Sequence, residues 1–183
     1  MNFFERKSTA RIFLIICVFL SLLLGCGASF SRMAGKVEKA YAKGEDGSGY
    51  CIASDIDSLY EISGNINKIA KKYFDVSDSY VSALQLARGQ LKDASSIAEK
   101  KQAKLIVDSA VEAFYPVLQV TAMSETDAKY VTRLYYDYRE ANDKISHDSY
   151  NSLAAAYNAK LNVFPANILH KLVFASPFVT FDK

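Results

Sequence analysis

Tyr150-Asn151-Ser152-Leu153-Ala154-Ala155-Ala156-Tyr157-Asn158-Ala159-Lys160-Leu161-Asn162-Val163-Phe164-Pro165 carries an aromatic-led doublet at sevenfold spacing. Seven residues is close to two α-helical turns, so the rings of Tyr150, Tyr157 and Phe164 fall on one face and Asn151 and Asn158 lie beside them. An aromatic face on a helix is a core face. The two asparagines are then either solvated or bonded across a helix interface, where such residues fix register. Pro165 lacks an amide donor and turns Phe164 toward extended backbone, so the helix is predicted to end near Val163.

Upstream, the same period recurs. Ile52, Ile56, Leu59, Ile62, Ile66, Ile69 and Tyr73 step by three and four, which predicts a helix from about Ala53 to Phe74, weakened locally by Gly64. Ser77 is the expected cap of a second helix with the stripe Val81, Leu84, Ala87, Leu91 and Ala94. A third stripe runs through Ala103, Ile106, Ala110 and Phe114 and is expected to stop at Tyr115-Pro116. Ser124-Glu125-Thr126-Asp127 has the form of a capping box ahead of a long helix reaching about Val163. On that helix Tyr135 and Tyr138 are expected in the core, while Tyr136 points outward as a candidate protein-binding anchor. Short turns between such segments predict an all-α, up-and-down antiparallel bundle of about four helices with a long C-terminal helix.

Composition agrees. The chain has 183 residues, half of them hydrophobic, with few glycines and prolines, no Trp, and 12 Tyr plus 11 Phe to fill helix seams. Its net charge of +2 is accounted for by Arg6, Lys7 and Arg11 against Glu5 at the N-terminus, leaving the rest neutral. A neutral body lacks the electrostatic footprint of nucleic-acid binding, and Lys71-Lys72 and Lys100-Lys101 are too short to supply one. Cys51 is alone in the body, with no metal-ligand spacing around it; it reads as a buried or loop residue, the alternative being an intermolecular disulfide. His147 and His170 lie far apart with no nucleophile elbow or phosphate-cradling loop, so no catalytic, cofactor or metal residues are assigned. Glu45 and Asp46 in the glycine-rich loop 44–49 cannot supply the oxygens calcium requires.

The N-terminus sets the compartment. Ile12 to Ser31 carries no charge for 20 residues, about 30 Å as a helix and enough to span a bilayer. Its apolar heart comprises Ile12, Phe13, Leu14, Ile15 and Ile16, then Val18, Phe19 and Leu20, then Leu22, Leu23 and Leu24. The preceding basic residues favour an N-terminus inside the cell, which sends the rest across the cytoplasmic membrane. Leu23-Leu24-Gly25-Cys26 has the form of a lipobox that would be lipidated on Cys26. A retained single-pass anchor, a lipoprotein and release after cleavage are the three alternatives. The organisation read from the sequence is an anchor or signal over 1–31, a juxtamembrane helix and glycine-rich loop over 32–49, and a helical domain over 50–183.

The doublets Tyr150-Asn151, Tyr157-Asn158 and Phe164-Pro165, followed by Asn167, resemble the end of the LemA family; Tyr115-Pro116 and the order of helices extend a weaker likeness over residues 36 to 183. The resemblance implies a membrane-anchored bacterial bundle with no assigned reaction. The glycine-rich loop 44–49 departs from the family pattern, in which a longer helix runs through. The segment beyond the motif is too apolar for a free end. Ile168, Leu169, Leu172, Val173 and Phe174, then Phe178, Val179 and Phe181, are expected either to pack on the bundle or to dip into the membrane interface or a partner groove. The function expected is therefore a non-catalytic scaffold or adaptor at the membrane, its partners being the lipid bilayer, an unidentified membrane or extracytoplasmic protein, or a second copy of the chain. The alternative is an extracytoplasmic lipoprotein that holds a small ligand in an aromatic-rich core lined by Tyr135, Tyr138 and Tyr157.

Overall fold

A computed structural model describes residues 7–182. Seven helices follow one another: α1 Lys7–Lys43, α2 Ile52–Ala70, α3 Ser79–Asp93, α4 Ile97–Val120, α5 Glu125–His147, α6 Ser149–Leu161 and α7 Ala166–Leu172. No strand forms among the described residues. The chain divides into two compact units, one of residues 7–38 and 153–178, the other of 39–152 and 179–182. The all-helical bundle anticipated from the apolar stripes is what forms.

The second unit contains the bundle. α2 packs against α5 and α3, α3 against α4, and α4 against α5, with the short connections that antiparallel neighbours need. α2 buries Ile52, Ile56, Leu59, Ile66 and Ile69, and α3 buries Val81, Leu84, Ala87 and Leu91. Ile62 and Ala94 depart from the expected stripes: both are half-buried, Ser63 is buried beside the first, and Ala94 lies past the end of α3. Phe114 fills the middle between the rings of Phe74, at 5.6 Å, and Tyr80, at 5.5 Å. Gly44 ends α1 at positive φ, where an added Cβ would lie 2.5 Å from the carbonyl oxygen of Tyr50. Cys51 is buried at the N-cap of α2, and its side chain makes no capping hydrogen bond.

Several local readings are corrected. α2 stops at Ala70, and Tyr73 leaves the stripe to donate its hydroxyl to Asp127 at 2.6 Å, where Lys72 also pairs at 2.9 Å. Asp78, not Ser77, caps α3, its carboxylate accepting from the Tyr80 amide; carboxylates cap at least as well as hydroxyls. α4 runs through Tyr115-Pro116 for a further turn, and its buried stripe is Ala103, Val107, Val111, Phe114 and Leu118 rather than Ile106 and Ala110. An interior proline costs about 3 kcal/mol, and burying Leu118 returns about 2 kcal/mol of that. The long C-terminal helix is bent: Asp148 is extended, ends α5, and accepts the Tyr150 amide at 2.7 Å as the start of α6.

Ser124 caps α5 by accepting from the Asp127 amide, but the carboxylate of Asp127 is committed to Tyr73 and Lys72. The reciprocal box sits instead at Ser96 and Glu99 on α4. The backbone N–H groups of Ser96 and Ser95 hold the Glu99 carboxyl down at about 2, from an ordinary 4.5. A depressed carboxylate contributes stability above its unfolded pKa and loses it as pH falls through the folded one. Glu99→Gln should therefore flatten the acid side of the stability profile between pH 4.5 and about 2, read by thermal unfolding across that range.

Candidate functional site

α1 is long and apolar enough to cross a membrane: its best window has a mean hydropathy of 2.6 and none of it is buried in the protein. The anchor side chains from Ile12 to Leu24 named above project from it, Cys17 and Cys26 are half-buried, and the helix passes residue 31 without a break.

Within the first unit, α7 is set against the end of that apolar stretch. Leu169 is buried, and Val173 lies at Gly27, where a Cβ would come 3.5 Å from its Cγ1. The opposite side is bare: Ile168, Leu172 and Phe174 are 57%, 53% and 91% exposed. Of the tail's apolar side chains in α7, only one face is therefore covered within the protein, since a seven-residue helix cannot turn two apolar faces inward at once. Phe164 is also corrected from core to surface, at 76% exposure. α6 ends at Leu161, three residues short of the ring, which therefore leaves the face of Tyr150 and Tyr157. Asn167 is exposed in the first turn of α7.

Phe174 occupies the position where α7 turns off, at φ 56°. The Ala175 amide donates to the His170 carbonyl at 2.9 Å, and His170 Nδ1 donates to the Ala175 carbonyl at 2.9 Å. This is the hydrogen-bonding of a helix stop that normally takes glycine. A phenylalanine there costs about 1–2 kcal/mol of backbone strain and gains no burial in return.

The Tyr-Asn doublets hold the C-terminal tail. In the first unit Asn158 is bidentate to one residue, its Nδ2 donating to the Phe178 carbonyl at 2.7 Å and its Oδ1 accepting the Phe178 amide at 2.9 Å; Tyr157 packs edge-on to the Phe178 ring. In the second unit the Tyr150 hydroxyl donates to the Val179 carbonyl at 2.7 Å, and Asn151 accepts the buried Phe181 amide at 2.6 Å. Asn151 also donates to the Ile145 and Ser146 carbonyls in the last turn of α5, the first of which takes the Asp148 amide as well. Burial raises the Tyr150 hydroxyl, and the Tyr41 ring stacks on Phe181.

No protein-family model, curated protein or solved structure matches the chain.

Missed altogether from the sequence is a charged network on α4 and α5. Asp108 accepts from Lys104 at 2.8 Å, from the Tyr138 hydroxyl at 2.6 Å and from Asn142 at 3.1 Å. Glu112 accepts from Tyr135 at 2.8 Å and from Arg139 at 3.1 Å. Tyr138 is buried, and burial together with Asp108 pushes its hydroxyl far up. Tyr135 is half-buried and stacked on Tyr115 at 3.6 Å. Of the three tyrosines expected to line a ligand cavity, Tyr157 belongs to the first unit, where it lines a cavity of about 420 Å³, and Tyr135 and Tyr138 belong to the second. Asp108 and Asn142 are the signal that could have been read, polar residues one turn from buried stripe positions. Among the described residues no group of three His, Cys, Asp or Glu side chains could hold a metal.

Proposed function

We propose that the protein is a non-catalytic scaffold or adaptor tethered by α1 to the cytoplasmic membrane, with the rest of the chain on the outer side and α7 resting in the lipid interface. In this it is similar to what the LemA-like doublets imply. The observation that carries the reading is Phe174, a large apolar ring held in a glycine-type conformation and turned outward beside the end of the apolar stretch of α1. Strain without burial makes sense where the burial comes from outside the protein. Basic residues before the span favour the stated orientation, and exposed Tyr136 beside Arg133 offers an anchor for a protein partner.

The chain has no tryptophan, so Phe174→Trp gives a single reporter in the full protein reconstituted in vesicles. Blue-shifted emission quenched by nitroxide lipids is the expected result; a water-like spectrum untouched by the quencher would sink the interfacial reading. Phe174→Gly should separate the two roles of the residue. Relief of the strain raises stability by about 1 kcal/mol in thermal unfolding, while a nitroxide placed at Ser176 moves toward water.

A further inference from the structure

We infer that the cleft between α4 and α5 is a binding site for a small zwitterion, of the class of a free amino acid or short peptide carrying both an ammonium and a carboxylate. Lys104, at 8% exposure, is the one lysine, arginine or carboxylate that is buried among the described residues. An apolar residue would fill that position on α4 at lower cost, since a buried ion pair stabilises a fold weakly. The charge is placed where a cavity of about 290 Å³ opens, with Asp108, Glu112, Arg139 and Asn142 on its walls and Phe181 from the tail at its edge.

Asp108 and Glu112 are four residues apart, about 6 Å along one face of α4, and each is held by its own cation. Lys104 spends one of its three donors on Asp108, and Arg139 spends its bonds on Glu112 and Tyr135, so both retain donors for an incoming carboxylate. The two carboxylates retain lone pairs for an ammonium. The charges balance, which disfavours a simple anion or cation and fits a ligand carrying both signs. Tyr138 and Asn142 fix Asp108 in place, so the site is organised before anything enters. The network is also incomplete in the protein alone: with Nδ2 committed to the acceptor-only Asp108, the buried Oδ1 of Asn142 has no donor.

The test is a nuclear magnetic resonance titration of the full chain in detergent micelles with L-alanyl-L-alanine, following the Asn142 side-chain amide and the Phe181 backbone amide. The expected result is saturable shifts at both, with the N-acetylated and the C-amidated dipeptides each binding at least about tenfold more weakly. Arg139→Gln, at an exposed position where folding is preserved, should weaken the dipeptide similarly. Absence of shifts at these amides, shifts only elsewhere, or equal binding of the blocked dipeptides overturns the proposal.

Discussion

Phe114→Ala should lower the stability of the bundle by about 3–5 kcal/mol, the range for removing a fully buried aromatic side chain. The ring is wholly enclosed and makes two aromatic contacts, edge-on to Phe74 and stacked on Tyr80. Those neighbours sit on the turn after α2 and the first turn of α3, so three consecutive segments lose their common contact at once. A loss of this size corresponds to a fall in Tm of about 6–20 °C for a chain of this length. Thermal unfolding followed by circular dichroism measures it. Phe114→Leu keeps most of the volume and should cost less than half as much; equal losses for the two variants would mean that the site is not packed as described.

Asn151→Ala should be nearly as damaging although the residue is small, at about 2–4 kcal/mol. Its amide accepts the buried Phe181 N–H and donates to two carbonyls at the end of α5. Deleting it leaves the buried Phe181 amide without an acceptor, at about 1–3 kcal/mol, and takes one donor from each of the two α5 carbonyls. The loss has a signature that a cavity would not give. Hydrogen exchange at the Phe181 amide should accelerate to the rate of an open segment while the amides of α3 keep their protection relative to the lowered global stability. Asn151→Asp keeps the acceptor and should retain slow exchange at Phe181 while losing the contacts to Ile145 and Ser146.

What was legible in the sequence is what depends on neighbours within a turn or two. The stripes of α2 and α3 place their own buried faces because residues three and four apart share a side. Reading failed where a distant partner overrides a local rule. Pro116 ought to end α4, but Leu118 has a core to enter. Asp148 breaks the long helix because its carboxylate reaches the Tyr150 amide, a cap that the aromatic period hides. Phe164 keeps its place in the sevenfold count and loses its place on the face, since a count of residues does not register where the helix stops. Asn158 and Asn151 find partners 20 and 30 residues later in the chain, and Asp108 meets Tyr138 30 residues away. No spacing rule within one segment reaches that far.

Asn158 addresses Phe178 only through its amide and carbonyl, groups that almost every amino acid offers. The grip itself is therefore blind to side-chain identity, and the aromatic contact with Tyr157 alone discriminates at that place. Drift at position 178 among residues of varied size would keep this grip, with affinity graded by ring contact, whereas proline would halve it by removing the one hydrogen that Asn158 Oδ1 receives while leaving the carbonyl that Asn158 Nδ2 reaches.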